Sequence, residues 1–349
     1  MRKGQKGYLA NDWPTLLCDN ARSGGQAPQP WRAPGKARWQ TNVEGAVRGS
    51  PVLHGDLLYV PSLAGFLNAI DIRSGRPRWR FKAPAAIHST PSISSGHVLF
   101  GCSDGKVIAI DAMTGGKFWE TAAEDEVWTS PVVQNGTVFF GSADGAMYAV
   151  QAETGTLKWK QALGGRIYST ALLAEQRVYF GCGDGNIYSL DALTGHVVWR
   201  TATGNGIDCS PALANDTLLI GSQDFCFYAL DPGTGALRWK YEADLGITSA
   251  PAISGELIIF GCKAGTLHAL DIRTGKVIWK TRTGEVITAP PVASGSVIWL
   301  QAGITFAFNV ADGKVIWRAG MGNSLHSAPV VTNQAVYLGG LGGEVYALE

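Results

Sequence analysis

A tryptophan recurs along this chain at intervals of 40 residues, from Trp79 to Trp279, and the last interval, to Trp317, is 38 residues. Each of these tryptophans ends a copy of the pattern Ala-x-Asp-x-x-x-Gly-x-x-x-Trp, with single replacements in some copies. The segment from Ala109 to Trp119 shows the pattern in full. A fixed period in this range indicates a repeat architecture, in which each copy is one supersecondary unit.

The two ends of the chain carry complementary halves of one more copy. The segment from Gly35 to Trp39 has only the Gly-x-x-x-Trp half, and the segment from Ala347 to Glu349 has only the start of the other half. Joined together, they bring the number of copies to eight. A linear solenoid requires a capping repeat at each end. Two complementary halves instead predict that the ends meet and that the repeats form a closed ring.

Each copy has the pattern of four short antiparallel strands. In the third copy, runs rich in Val, Phe, Tyr and Leu occupy residues 130–133, 137–141, 146–150 and 157–160. Asn-Gly, Asp-Gly and Thr-Gly pairs separate these runs, and such pairs favour tight turns because glycine tolerates a positive φ. Four antiparallel strands per copy around a closed ring define a β-propeller. The sequence therefore predicts an all-β fold, an eight-bladed β-propeller of four-stranded antiparallel blades. An N-terminal strand at residues 36–42 is expected to close it by completing the last blade.

The chain divides into a short leading segment and the ring. Residues 35–349 are predicted to form the propeller, and residues 1–34 precede it. Four prolines in the leading segment disfavour a long helix there. We expect an extended segment that packs on the propeller and buries Trp13.

The repeated motif resembles the tryptophan-docking motif of pyrroloquinoline-quinone (PQQ) repeat propellers. That superfamily includes the quinoprotein alcohol dehydrogenases and the BamB-type outer-membrane assembly lipoproteins. The resemblance covers about residues 35–349, and the segments Asp12–Pro14 and Asp19–Gly24 resemble the lead-in of such proteins. It implies an eight-bladed propeller. Function has to be argued from the site, because one fold supports many functions.

Charge and hydropathy narrow the choice of partners. Lys and Arg total 29 and Asp and Glu total 28, which gives a net charge of +1. This balance argues against nucleic acid and against an anionic membrane surface as partners. No apolar run reaches 18 residues, so no transmembrane segment is expected. The basic N-terminus has no apolar stretch after it, so we expect a cytoplasmic protein, or a periplasmic one if an export signal has been removed.

Three of the six cysteines occupy one repeat position at the end of the second strand: Cys102, Cys182 and Cys262. Ser142 and Ser222 occupy it in two other copies, so the position requires a small residue that packs. The six cysteines show no metal-ligand spacing, and we expect no disulfide between blades. Unpaired thiols favour a reducing compartment.

One repeat position varies where its neighbours do not. It lies two residues before the Ser/Thr/Ala-Pro step, at the start of the innermost strand, and an apolar residue precedes it in every copy. Its occupants are Arg48, His88, Trp128, Tyr168, Asp208, Thr248, Thr288 and His326. These side chains are expected to converge on the axis and to bind a ligand at the top face of the ring. The alternative is that all eight are solvated residues of the rim.

Two classes of function follow. The first is a binding or scaffold module that holds a partner protein, a peptide or a small-molecule ligand at the top face. The second is a small-molecule enzyme, a lyase, cyclase or hydrolase, with His88, His326, Asp208 and Tyr168 as catalytic residues. The sequence has neither the vicinal Cys-Cys nor the Glu/Asn/Asp calcium loops of quinoprotein dehydrogenases. We therefore expect no PQQ and no metal, since His88 and His326 alone are too few for a zinc site.

Overall fold

A computed structural model describes residues 37–320, 327–332 and 334–349. Every regular element in these ranges is a β-strand, and the 32 strands form eight four-stranded antiparallel sheets. These sheets are the blades of an eight-bladed β-propeller, which confirms the predicted fold. The leading segment predicted at residues 1–34 lies outside the described residues.

The first four blades take up the chain to residue 202. Blade 1 contains β2 (Val52–His54), β3 (Leu57–Pro61), β4 (Phe66–Asp71) and β5 (Pro77–Lys82). Blade 2 contains β6 (Ser92–Ser94), β7 (His97–Gly101), β8 (Lys106–Asp111) and β9 (Lys117–Ala122). Blade 3 contains β10 (Val132–Gln134), β11 (Thr137–Gly141), β12 (Ala146–Gln151) and β13 (Leu157–Ala162). Blade 4 contains β14 (Leu172–Ala174), β15 (Arg177–Gly181), β16 (Asn186–Asp191) and β17 (Val197–Ala202).

The remaining blades follow in the same order, and the last one uses both ends of the chain. Blade 5 contains β18 (Ala212–Ala214), β19 (Thr217–Gly221), β20 (Cys226–Leu230) and β21 (Leu237–Glu242). Blade 6 contains β22 (Ala252–Ser254), β23 (Leu257–Gly261), β24 (Thr266–Asp271) and β25 (Val277–Arg282). Blade 7 contains β26 (Val292–Ser294), β27 (Val297–Ala302), β28 (Ile304–Asn309) and β29 (Val315–Ala319). Blade 8 contains β30 (Val330–Val331), β31 (Val336–Gly339), β32 (Glu344–Leu348) and β1 (Ala37–Asn42).

The closure of the ring is a β-sheet pairing between the two ends. Strand β1 pairs antiparallel with β32, and Trp39 lies opposite Ala347. The strand predicted at residues 36–42 therefore completes the last blade, as expected. Opening the ring at this point would remove the outer strand of blade 8 and expose the edge of β32.

Each blade docks on the next through the tryptophan of its outer strand. The indole N–H of Trp39 donates to the carbonyl oxygen of Ile72 at 2.7 Å, and Trp79 donates to Ala112 in the same way at 3.2 Å. Equivalent bonds follow from Trp119, Trp159, Trp199, Trp239 and Trp279. The indole also covers the turn glycine of the next blade. A Cβ on Gly75, whose φ is +69°, would lie 2.7 Å from the Trp39 ring. The motif thus pairs glycine and tryptophan because the ring occupies the space of a side chain.

A chain of hydroxyl groups links the inner strands around the axis. The hydroxyls of Ser50, Thr90, Ser130, Thr170 and Ser210 each accept the backbone N–H of the equivalent residue in the preceding blade, at 2.8 to 3.1 Å. Blades 6 and 7 carry Ala250 and Pro290 at this position. Neither side chain has a hydroxyl. The chain of bonds therefore runs from blade 8 through blades 1, 2, 3 and 4 and ends at blade 5.

The repeated cysteines pack between blades, as predicted, and two aspartates hold turns. Cys102, Cys182 and Cys262 are buried in clusters between adjacent blades, and the described cysteines are free thiols. Asp184 and Asp224 accept hydrogen bonds from the hydroxyls of Tyr188 and Tyr228, at 2.7 and 2.6 Å. These carboxylates fix the turns between the second and third strands of their blades.

Candidate functional site

The varied position is held in place by the buried residue before it. Ile167, Ile207 and Ile247 are fully buried. Each packs on the glycine that ends the second strand of the preceding blade, as Ile207 does on Gly181. A Cβ on that glycine would lie 2.1 Å from Ile207 Cγ2. The apolar anchor therefore needs a glycine opposite it, and the next side chain emerges at the axis.

Seven of the eight predicted ring residues line one cavity of about 420 Å³, which we call the mouth cavity. Its described lining consists of Arg48, His88, Trp128, Tyr168, Asp208, Thr248, Lys263 and Thr288. The eighth predicted residue, His326, lies outside the described residues. A wider cavity of about 810 Å³ shares Arg48, His88, Trp128, Tyr168 and Thr288.

Three aromatic rings from consecutive blades form a stack along one wall. The rings of His88 and Trp128 have centroids 4.4 Å apart and are inclined by 16°. Trp128 and Tyr168 follow at 5.0 Å and 28°. The guanidinium carbon of Arg48 lies 5.8 Å from the Trp128 ring centroid, within range of a cation–π contact. This wall is rigid because each ring restricts the rotamer of the next.

The mouth contains buried polar atoms that have no hydrogen-bond partner among the residues that the structure describes. They are Nδ1 of His88, Nε1 of Trp128 and Oγ1 of Thr248. An unpartnered buried polar group costs about 1–3 kcal/mol, which a bound ligand or water would recover. The indole N–H of Trp128 can only donate, so its partner has to be an acceptor.

Burial shifts the pKa values of two residues of the mouth, Asp208 and His88, in opposite directions. Burial raises the pKa of Asp208, although the charge of Lys263 partly opposes this. The same carboxylate accepts a 2.6 Å hydrogen bond from Gln223 Nε2. Burial lowers the pKa of His88, and the positive charge of Arg48 lowers it further. His88 is therefore neutral at pH 7, and one ring nitrogen is an acceptor.

Sequence reasoning missed two residues of this site, Gln223 and Lys263. Both occupy the first position of the turn after the second strand, where blades 2, 3 and 4 carry Ser103, Ala143 and Gly183. The signal was of the same kind as the one that identified the ring, a long polar side chain at a position where the other copies named here have small residues and blades 1 and 8 have Leu63 and Leu341. This signal was overlooked because the turn lies far from the ring position in sequence. In each copy it comes about fifteen residues after the varied position.

The ring of docked blades with a varied position at its mouth defines the class of PQQ-repeat β-propellers. A family model described as outer membrane protein assembly factor BamB matches residues 31–127, 103–245, 183–319 and 227–349. The chain belongs to this family. A search of curated protein sequences returned no match. In the part of the chain that the structure describes, no helix has the length and apolarity that a membrane span requires.

Solved structures share the fold at low sequence identity. BamB from Moraxella catarrhalis is 20% identical, with a TM-score of 0.80, over 90% of this chain and 99% of that one. The quinohemoprotein alcohol dehydrogenase of Comamonas testosteroni is 17% identical, with a TM-score of 0.82, over 97% of this chain and 80% of that one. The computationally designed protein Ika8 is 18% identical, with a TM-score of 0.79, over 88% of this chain and 97% of that one. At these identities the likeness shows the fold alone.

Proposed function

We propose that this propeller is a binding module that holds an acidic group of a partner protein or peptide in its mouth cavity. The observation that carries the proposal is the presence of buried polar atoms, His88 Nδ1 and Trp128 Nε1 among them, that have no partner among the described residues. They lie in a cavity that is also lined by two cations, Arg48 and Lys263. Membership of the BamB-described family supports a protein or peptide as the partner.

The charges around the cavity favour an anion. Arg48 and Lys263 contribute two positive charges to the lining, and Asp208 is its one described acidic residue. Gln223 already donates to Asp208, which reduces the field of that carboxylate in the cavity. A carboxylate could accept from the Arg48 guanidinium through both oxygens and from the Trp128 indole N–H.

We further propose that binding does not involve PQQ. Trp128 has stacked neighbours from both adjacent blades, so a flat quinone would have to displace His88 or Tyr168 to stack on it. Asp208 is the one carboxylate among the described lining residues, too few to hold the calcium ion that the quinoprotein resemblance implies. The site residues do not fit that cofactor, and no step here depends on it.

Calorimetric titration with blocked tetraglutamate and tetraglutamine peptides tests the binding proposal. Tetraglutamate should bind more tightly, and Arg48→Gln should weaken its binding about tenfold or more, since a charge-assisted hydrogen bond contributes about 1.5–3 kcal/mol. Arg318→Gln, on the exposed outer strand of blade 7, is the matched control and should change nothing. Equal binding of the two peptides, or equal effects of the two arginine variants, would contradict the proposal.

A second candidate function is acid–base catalysis on a small molecule in the same cavity. The raised pKa of Asp208 and the lowered pKa of His88 favour it, because they favour a protonated carboxyl as the acid and a neutral imidazole as the base. Tyr168 and His326 are the other candidate catalytic residues. Hydrolysis of p-nitrophenyl acetate is a first assay for the hydrolase alternative. His88→Asn should abolish catalysed turnover, and an unaltered rate would eliminate this role.

We place the protein in the cytoplasm, or in the periplasm if an export signal is removed. Free buried thiols such as Cys102 and Cys182 support the reducing compartment. Cell fractionation with an antibody against the chain distinguishes the two.

A further inference from the structure

A second cluster of chemically reactive side chains lies between blades 5 and 6, away from the mouth lining. Asp244 belongs to the connection that follows β21, and Cys262 and His268 belong to blade 6. One carboxylate oxygen, the thiol sulfur and one imidazole nitrogen lie within 4.8 Å of one another. Within the described ranges, this is the one group of three or more His, Cys, Asp and Glu residues whose potential ligand atoms lie this close together.

The imidazole of His268 has a ring nitrogen that is available to bind a metal ion. The residue is fully buried, and within the described part of the chain its Nε2 has no hydrogen-bond partner. Its other nitrogen, Nδ1, lies 3.2 Å from the hydroxyl of Tyr241. The ring stacks on Phe260 at 5.1 Å and 11°, which fixes its plane. A hydrogen bond at one nitrogen that orients the other is the usual support of a metal-ligating histidine.

Two charged side chains, Lys280 and Asp244, interact with the His268 imidazole. The amine of Lys280 lies 5.3 Å from the centroid of the Tyr241 ring, and its charge also interacts with Asp244 and Cys262. Asp244 is itself held by a 3.0 Å hydrogen bond from Thr266 Oγ1.

The repeat shows that these residues are not required by the fold. In the copies at 40-residue intervals before it, the position of His268 is Tyr in blades 3, 4 and 5, as in Tyr228. That tyrosine bonds to the turn aspartate, but blade 6 carries Ala264 in place of the aspartate. The position of Asp244 is Gly164 or Gly204 in the two preceding copies. A cysteine, a histidine and an aspartate coincide at this boundary alone among those copies.

We propose that Asp244, Cys262 and His268 form a binding site for a divalent transition-metal ion, with zinc as the ion that the donor set fits best. Thiolate, imidazole and carboxylate are the ligands that zinc takes in proteins, in tetrahedral geometry. Zinc–ligand bonds of about 2.0 to 2.3 Å place tetrahedral ligand atoms about 3.3 to 3.8 Å apart. The side chain of Asp244 is exposed, so its carboxylate is free to move towards the buried sulfur and imidazole as the ion binds.

Binding changes the protonation of one ligand. The Cys262 thiol releases its proton to solvent as the sulfur–metal bond forms, so the protein gains one net positive charge per divalent ion bound. Three protein ligands leave the fourth tetrahedral position for water, which reaches the site on the Asp244 side. The site is separate from the mouth cavity and does not depend on the function proposed for that cavity.

Cobalt binding to the full chain tests the proposal. Titration of the metal-free protein with Co²⁺ should show one equivalent bound, with a near-ultraviolet band from the cobalt–thiolate bond and visible bands of tetrahedral cobalt. Zn²⁺ should displace it and abolish both sets of bands. It should also raise the melting temperature by mass action. Absence of the thiolate band at saturating cobalt would overturn the site.

Sister blades supply substitutions that the fold already accommodates. Cys262→Ser follows Ser222, His268→Tyr follows Tyr228 and Asp244→Gly follows Gly204. Cys262→Ser should abolish the thiolate band, and each of the other two should weaken cobalt binding at least tenfold. Because Asp244 is exposed, Asp244→Gly tests the site even if His268→Tyr fails to fold.

The matched control is Cys182→Ser in blade 4. Cys182 occupies the same repeat position, and burial raises its thiol pKa to about 12, but Tyr188 and Gly164 stand where blade 6 has its histidine and aspartate. The control should keep full cobalt binding and the thiolate band. Equal losses in Cys182→Ser and Cys262→Ser would show binding to thiols in general and would overturn the proposal.

Discussion

The backbone N–H of Ala328 donates a 2.8 Å hydrogen bond to the hydroxyl of Ser50, although 278 positions separate the two residues in the chain. This bond joins blade 8 to blade 1 on the inner side of the ring. On the outer side, β1 pairs with β32 within blade 8, and Trp39 of β1 docks on Ile72 of blade 1. The closure of the ring is therefore stabilised on both its inner and its outer side.

Ser50→Ala should destabilise the fold by about 1–3 kcal/mol, because it leaves the buried N–H of Ala328 without a partner. Urea denaturation measures the change. Ser210→Ala is the comparison, since it removes the equivalent bond from Thr170 between blades that the chain already connects. Ser50→Ala alone should also speed hydrogen exchange in β1. A loss below about 0.5 kcal/mol would show that the inner bond does not stabilise the closure.

Phe225→Gly should raise stability by about 0.5–1 kcal/mol. Phe225 is exposed and has a φ of +73°, a conformation that costs an L-residue about 1–2 kcal/mol. The greater freedom of glycine in the unfolded chain offsets part of the gain. Gly265→Ala is the reverse test at the same turn of blade 6. Its Cβ would lie 2.7 Å from the Glu285 carbonyl oxygen, so stability should fall. Loss of stability in Phe225→Gly would instead assign that ring a packing role.

Trp128→Phe should leave stability unchanged or raise it, while weakening the binding of tetraglutamate. The change keeps an aromatic ring between His88 and Tyr168 but removes a buried N–H that has no partner. Trp159→Phe is the matched control, because its indole N–H is bonded to the Ala192 carbonyl at 3.1 Å. That variant should lose about 1 kcal/mol of stability with no effect on binding. Thermal denaturation and calorimetry measure the two quantities.

Asp208→Asn should change how stability depends on pH. The folded-state pKa of Asp208 is raised above its ordinary value of 3.8. The folded state therefore binds the carboxyl proton of Asp208 more tightly than the unfolded state does. The protonated carboxyl stabilises the fold at low pH, and this stabilisation is lost as pH rises through and above 3.8. The wild type should accordingly lose stability relative to Asp208→Asn between pH 4 and pH 7. Asp216→Asn controls for the loss of one exposed carboxyl group. Parallel pH profiles for wild type and Asp208→Asn would contradict this assignment.

The local signals of the sequence were sufficient for the blades but not for every residue of the site. The turn pairs and the period of the tryptophans located each strand to within about two residues, as for β10 at Val132–Gln134, which was expected at 130–133. The same register placed Arg48, Trp128 and Asp208 at the mouth. His326 and the ligand-binding role of the ring remain predictions.

Sequence alone determined the number of blades, the closure by the N-terminal strand and the position that varies at the axis. These follow from the spacing of Gly, Asp and Trp, because turn geometry and blade docking act over short, repeated distances along the chain. Tertiary structure alone decided which side chains meet across blades. It placed Gln223 on Asp208, stacked His88 on Trp128, and brought Asp244 to Cys262 and His268. Such contacts depend on rotamers and on packing between neighbouring copies, and a repeat pattern specifies positions on the scaffold without specifying where each side chain points.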